Sequence, residues 1–296
     1  MDRLILGTAQ LGMNYGIANK PGRPNPDLSR KIVQSAWENG IREYDTAQEY
    51  GESEKTLGKA LSSLGLSSKA KIITKLNQEL DHLDKKTMTQ AVRESIAQLD
   101  VPALHGLMLR REEYLNLWEK GLGEIFQGFV AQGLTRYLGV SVYSPEMAIL
   151  GLNTDGIDMI QLPSNILDRR FENAGVFDLA KELGKQIHVR SVFLQGLLLM
   201  DRCEIPSNMQ FAGSVLEKLK HVEQETGLSR QNLAFGYAKQ AYPDAKIVFG
   251  VETSEQLNEN FISWAKELPH GLIARIKNEF KNVENRVLNP VLWPNK

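Results

Sequence analysis

The sequence predicts a closed (β/α)8 barrel, an α/β fold of the TIM-barrel class, from one recurring pattern and two absences. Short runs rich in β-branched residues and leucine recur eight times, each followed by a longer segment with helical spacing, as in βα units around a parallel sheet. An open doubly wound sheet alternates in the same way, but its phosphate-binding signature, G-x-G-x-x-G after the first strand, is missing. No proline- or serine-rich linker divides the 296 residues, so one domain over 1–296 is expected.

The elements follow in order. A first strand is expected over Arg3–Thr8, and the proline-rich stretch Pro21–Pro26 reads as a loop. Leu28, Ile32, Val33, Ala36 and Trp37 then recur at helix spacing, with Asn39-Gly40 as a stop before a second strand at Ile41–Asp45. A third strand over Lys71–Lys75 precedes a stripe of Met88, Ala91, Val92, Ser95, Ile96 and Leu99 on one helix face. After a fourth strand, Gly106–Arg110, the residues Leu115, Leu117, Ile125, Phe129 and Val130 suggest another helix. The fifth strand, Tyr137–Ser141, is followed by a helix start, with Ser144 as cap and Pro145 at the first position. Strands over Met159–Leu162, Ile187–Ser191 and Ile247–Gly250 complete the set, with Asp168-Arg169-Arg170 read as a solvated loop pair. The C-terminal ends of barrel strands face one mouth, so Asp45, Lys75, Arg110, Ser141, Gln161 and Ser191 are expected to converge there.

Composition narrows the function. With 35 basic and 36 acidic side chains and a formal net charge of -1, the chain has no electrostatic footprint for nucleic acid. Apolar runs such as Gly196–Met200 are far below the ~20 residues of a membrane helix. The N-terminus lacks the pattern of a signal peptide. A single cysteine, Cys203, excludes an intramolecular disulfide or multi-cysteine metal site, and no metal is expected; a cytoplasmic location follows. Oligomeric state cannot be read from one chain.

The densest chemical signal is Tyr44 through Glu54, where the second strand hands over to its helix. A buried aspartate beside a lysine forms a charge pair, and a tyrosine near that ammonium has its phenolate stabilised, which moves its pKa down from ~10. Asp45, Tyr50 and Lys75 are placed to do this, and Tyr50 could then deliver a proton. On spacing alone, an ordinary buried ion pair beside a surface tyrosine accounts for the same residues equally well.

Together, Leu6-Gly7-Thr8-Ala9, Asp45-Thr46-Ala47 with Tyr50-Gly51 and Ser53-Glu54, Thr74-Lys75, Gly139-Val140-Ser141, Gln161, Glu255-Gln256-Leu257 and Glu259-Asn260 resemble the aldo-keto reductases over nearly the whole chain. The resemblance implies a (β/α)8 barrel holding a nicotinamide cofactor across its mouth, with hydride passed to a small-molecule carbonyl substrate. It implies Tyr50 as proton donor, Lys75 lowering its pKa and Asp45 pairing with Lys75. Ser141 and Gln161 would hold the nicotinamide carboxamide, and Gly7, Thr8 and Ala9 would line that end. The Ser191–Gly196 loop, with Leu194, would track the pyrophosphate. Gly250, Gln256, Glu259 and Asn260 would serve the adenosine end, where helix N-terminal amides suit an anion.

The sequence also departs from the family. The usual catalytic histidine after the fourth strand is Arg110; the histidines present, His82, His105, His188, His221 and His270, lie elsewhere and read as structural or exposed. Arginine cannot shuttle protons, but its donors can polarise a carbonyl or grip an anion. Arg190 stands where an aromatic ring often meets the nicotinamide, and its flat guanidinium can stack there too. With Lys75, Arg110 and Arg190 at one mouth, an anionic substrate is one expectation; the alternative is that Arg190 serves the cofactor and Arg110 packs against an acidic neighbour. NADP is the family default, whereas Glu252 near the ribose suits NAD, so both stay open. Asn14-Tyr15-Gly16, Trp118 and Trp264 could touch ligand, although packing explains the tryptophans as well. The rival functions are elimination or epimerisation in the same barrel, and a nucleotide-holding regulatory protein with little turnover. The intact trio speaks against the last.

Overall fold

A computed structural model describes residues 1–294. Eight parallel strands close on themselves in sequence order: β1 (Leu4–Gly7), β2 (Glu43–Asp45), β3 (Lys71–Lys75), β4 (Leu104–Leu109), β5 (Thr135–Ser141), β6 (Met159–Pro163), β7 (Gln186–Arg190) and β8 (Lys246–Phe249). The expected barrel and all its strands are present, with ends displaced by a residue or two. Arg110 and Ser191 therefore lie just past β4 and β7 rather than inside them. No helix among the described residues is long and apolar enough to cross a membrane.

Two separate cores arise from strand geometry, in which alternate side chains point to opposite faces. The larger lies between strands and helices. The smaller fills the barrel's interior with Ile5, Ile73, Met108, Met159 and Val248. Gly106 and Gly139 make room for the Met159 side of this layer: a Cβ at Gly106 would come 2.5 Å from Met159 Cε, and one at Gly139 would come 2.7 Å from the Met159 carbonyl. Two positions beyond each interior apolar residue lies a residue at the mouth: Gly7, Lys75, Arg110, Gln161 and Gly250.

The outer helices are set by local chemistry. Asn25 caps the helix Pro26–Glu38 by accepting from the Leu28 amide at 2.9 Å. Pro26 is thus the first helical residue, not part of the preceding loop, because its missing N–H would have had no partner there. Ile32, Val33 and Ala36 are wholly buried on the inner face. The single helix expected around residues 115–130 is instead two pieces, a 3-10 segment Glu112–Lys120 and an α-helix Leu122–Ala131. Gly121, at φ 111°, separates them in a left-handed conformation that few other residues adopt. Val130 is exposed.

Nor is Asp168-Arg169-Arg170 a solvated pair. Asp168 is buried and takes Arg170 Nη2 at 2.7 Å, while the buried Arg169 packs its guanidinium 4.5 Å from the Tyr237 ring centre. Ser144 caps its helix as expected, accepting from the Met147 amide at 3.4 Å. Trp118 and Trp264 are core residues.

The floor of the barrel is polar. Lys246 Nζ donates to both oxygens of the buried Glu43 at 2.8 and 2.7 Å. His188 is fully buried beside them, and neither ring nitrogen has a hydrogen-bond partner among the described residues. Burial, reinforced by Lys246, Lys75 and His105, pushes its pKa down to about 3. The half-exposed His105 is held down to about 4, again mainly by burial, against the pull of Glu43. These histidines bind protons less readily folded than unfolded, so their contribution is full above the unfolded value of about 6.5 and is lost progressively as pH falls towards 3. Urea midpoints measured from pH 7 to pH 4 should fall with acidification, and the slope should be shallower in His188→Met; equal slopes would contradict this account.

Candidate active site

Asp45 ends β2 and Lys75 ends β3, and neighbouring parallel strands bring their tips together. Lys75 Nζ donates to both Asp45 oxygens at 2.7 Å and to the Thr46 carbonyl at 3.2 Å. Both side chains are almost completely buried, and Gln161 Nε2 adds a third hydrogen bond to the carboxylate, at Asp45 Oδ2, at 2.7 Å. Tyr50 sits in the loop after β2, with Lys75 Nζ 5.4 Å from its ring centre. Ser53 fixes that loop: its hydroxyl donates to the Thr8 carbonyl at 2.7 Å and meets the Thr46 hydroxyl at 3.0 Å. Gly12 packs so closely on the loop that a Cβ would lie 1.8 Å from the Tyr50 carbonyl.

The electrostatics correct one expectation. Tyr50 is not shifted downward: burial, and then the negative charge of Asp45, raise its pKa well above the ordinary phenol value, against the opposing pull of Arg110 and Arg190. The physical reason is the dry setting of the phenol, while the Lys75 ammonium is taken up by the Asp45 carboxylate and lies 5.4 Å from the Tyr50 ring centre. Lys75 itself is lowered, chiefly by burial, with Asp45 opposing.

A cleft of about 290 Å³ runs from Asp45 and Tyr50 across the mouth. Gly7, Thr8 and Ala9 line it near Tyr50, together with Arg190 and Ser191. Gly196 lines its middle, and Gly250, Gln256, Glu259 and Asn260 line the far end, beside Glu252. Three of the expected cofactor-binding residues, and with them Lys75 and Arg110, stand apart from the surface of this cleft. Ser141 and Gln161 are buried behind it, and Leu194 is packed in the core.

The cleft is partly bridged. Ser191, Leu194 and Gln195 adopt positive φ angles of 63°, 50° and 56°, a strained run of the kind that surrounding structure must hold. The segment after β1 does so: the Ile17 amide donates to the Gln195 carbonyl at 3.0 Å, and a Cβ on Gly196 would lie 2.5 Å from Ala18 Cβ. Tyr15 and Gly16, from the same segment, also line the cleft.

Several buried polar atoms here lack partners. Ser141 Oγ, Gln161 Oε1 and Asn260 Oδ1 are buried with no hydrogen-bond partner among the described residues, although such groups are ordinarily satisfied. Ser141 and Gln161 are paired across β5 and β6 behind the Tyr50 end, and a carboxamide supplies the donors and acceptor that a hydroxyl and a side-chain carbonyl want. Asn260 sits at the far end, in the helix Ser254–Ala265, whose first turn is capped by Thr253 accepting from the Gln256 amide at 3.2 Å. The residues therefore fit an extended nicotinamide dinucleotide.

Arg110 occupies the position after β4, and its Nε donates to Glu49 at 3.0 Å, the acidic neighbour foreseen as one alternative. Its Nη1 donates to the Tyr143 hydroxyl at 3.3 Å. Arg190 stacks its guanidinium 4.4 Å from the centre of the Tyr143 ring and has no ion-pair partner among the described residues. Tyr143, two residues past β5, is the group that sequence reasoning missed. Its only signal was the strand's two-residue period, which runs Gly139, Ser141, Tyr143.

The aldo/keto reductase family model matches residues 3–279. The chain belongs to this family. It is 26% identical over 189 residues to the aldo-keto reductase YhdN of Bacillus subtilis, a match covering 61% of this chain and 55% of that protein, so the chain aligns with about half of that relative's length. The aldo-keto reductase AKR11C1 of Bacillus halodurans, solved in its holo form, superposes with a TM-score of 0.75 at 23% identity, covering 94% of this chain and 91% of that one. PA4992 of Pseudomonas aeruginosa, described as a possible aldo-keto reductase, gives 0.68 at 19% identity, covering 89% of each chain. Both structures share the fold.

Breaking a buried ion pair by removing one partner leaves an uncompensated charge and costs about 3–5 kcal/mol. Asp45→Asn should lower unfolding free energy in urea by about that amount; a loss below about 1 kcal/mol would mean that the pair does not hold the mouth together.

Proposed function

We propose that the chain is an NAD(P)H-dependent oxidoreductase that reduces an aldehyde, ketone or sugar-derived carbonyl to an alcohol, with Tyr50 delivering the proton. The observation that carries this reading is the place of Tyr50, beside the buried Asp45–Lys75 pair and at the end of a cleft backed by Ser141 Oγ and Gln161 Oε1, which have no partner among the described residues. The coenzyme, when bound, supplies the hydride.

The chain's own residues do the rest. Ser141 and Gln161 would hold the carboxamide, with Gln161 also donating to Asp45, so coenzyme position and ion pair are tied through one side chain. Gly7, Thr8, Ala9, Arg190, Ser191 and Gly196 would line the nicotinamide and pyrophosphate path. The buried Leu194 would support that loop from beneath. Because burial and Asp45 raise its pKa, Tyr50 stays protonated at neutral pH and acts as an acid rather than a base. As an alkoxide develops on the substrate, the Tyr50 proton moves to it. The phenolate left behind is stabilised by Arg110 and Arg190, whose charges already pull its pKa down. In this reading Arg110, at the position after β4 where the family has a histidine, stabilises charge without exchanging protons. A substrate carrying a carboxylate or phosphate would find its counter-charge in Arg190, since Lys75 and Arg110 are already paired with acids.

The family's usual coenzyme is NADP(H), but the far end of this cleft carries Glu252 and Glu259 and no lysine or arginine among its described lining residues. That end suits the free 2′-hydroxyl of NAD(H) better than a 2′-phosphate.

Consumption of NADH or NADPH should accompany turnover over a panel of neutral and anionic carbonyl compounds. Tyr50→Phe should lower kcat by about 10²-fold or more while leaving coenzyme binding, read by tryptophan fluorescence, unchanged; undiminished turnover would remove Tyr50 as donor. In the same titration NADH should bind at least as tightly as NADPH. A preference for NADPH beyond about tenfold, equivalent to about 1.4 kcal/mol, would overturn the role given to Glu252.

A further inference from the structure

The coenzyme cleft takes up only part of the mouth. It is built from segments after β1, β7 and β8, with Tyr50 at its end. The side beyond Tyr50 is formed by the segments after β4 and β5, which carry Arg110 and Tyr143. Arg110 is engaged twice, through Nε to Glu49 and through Nη1 to the Tyr143 hydroxyl. The Tyr143 oxygen is therefore an acceptor, while its own proton has no acceptor among the described residues. The ring is held from two further sides. Arg190 stacks on it, and the Tyr143 backbone amide donates to Glu112 Oε2 at 2.6 Å. A phenol fixed at ring, backbone and oxygen, with its proton left over, is a preorganised hydrogen-bond donor.

We propose that Tyr143 is a second catalytic phenol, donating a hydrogen bond to the same carbonyl oxygen that Tyr50 protonates, with Arg110 and Glu49 as its positioning residues. The proposal rests on the carbonyl-reduction reading and adds to it. The part that a neutral imidazole would play passes to a neutral phenol, which can donate without carrying charge, and not to the guanidinium alone. No bond within Tyr143 breaks: the product's hydroxyl proton comes from Tyr50, its new C–H bond from the coenzyme's hydride, and Tyr143 ends the cycle as it began. Its surroundings make it a strong donor. Arg190 first, against burial, and then Arg110 and Lys75 draw its pKa down to about 8. Tyr15 and Tyr50 face the same cluster, each feeling the charge of Tyr143, and Glu49 and Glu112 border it through Arg110 and the backbone. The donor is intact below about pH 8 and is lost as pH rises through it.

The test is Tyr143→Phe, which keeps the ring on which Arg190 stacks and removes only the hydroxyl. Turnover of 4-nitrobenzaldehyde, methylglyoxal and glyoxylate is monitored by coenzyme absorbance, beside wild type and Tyr50→Phe. We expect kcat to fall by about 10²-fold, as for loss of one oxyanion donor, with coenzyme affinity unchanged. The wild-type alkaline limb of kcat/KM near pH 8 should disappear. Arg110→Met, which removes one of the cations, should move that limb to higher pH. Should Tyr50→Phe be inactive while Tyr143→Phe keeps wild-type kcat and pH profile, the proposal fails and the carbonyl-reduction reading stands. Full activity in Tyr50→Phe, or no turnover of any of the carbonyls by wild type, would instead count against that reading and the proposal with it.

Discussion

Lys75 lies in the barrel with its ammonium almost wholly removed from water, and it can remain charged there because Asp45 meets it with two oxygens at 2.7 Å. An isolated ammonium in that position would be very expensive. Desolvation works to lower Lys75 and the carboxylate works against it, so neither partner is at ease without the other. The pair then dictates its surroundings. Gln161 is drawn in to saturate the second carboxylate oxygen, which leaves its own carbonyl turned away and unpartnered. Tyr50, left with the field of Asp45 and a dry environment, keeps its proton. One desolvated ion pair thus sets the amide orientation and the acid strength at the mouth.

The pair is held at the right depth by the apolar layer beneath it. Ile5, Ile73, Met108, Met159 and Val248 fill the barrel, and the notches at Gly106 and Gly139 let the methionines in without displacing the strands. Because strand side chains alternate, the residue two positions further along each strand must emerge above that layer. The mouth inherits its geometry from the packing below, and the polar floor of Glu43, Lys246 and His188 closes the opposite end.

That period explains how much of the molecule is legible in its sequence. The eight strands stand out as short β-branched runs, with the mouth residues Asp45, Lys75 and Ser141 as last members, Arg110 one place past β4 and Gln161 inside β6. The pairing of Lys75 with Asp45 is legible because adjacent parallel strands leave it little choice. The direction of the Tyr50 shift is not, since it depends on how completely the phenol is buried and on its nearness to the Asp45 charge. Nor is the pairing of Arg110 with Glu49 and Tyr143, which joins residues 61 and 33 positions apart. The break at Gly121 is hidden because the apolar spacing runs on through it. In the Asp168–Arg170 segment, charged residues look solvated because sequence alone does not reveal the aromatic wall at Tyr237.

The contact between Ile17 and Gln195 has a kinetic side. The segments after β1 and β7 flank β8, whose end lies on the cleft, and they touch each other above it. A long molecule threaded beneath such an arch is enclosed by the chain as well as bound by it. Its escape requires either sliding out lengthwise or parting the arch, so residence time becomes a property of a loop's stiffness more than of the ligand's own contacts.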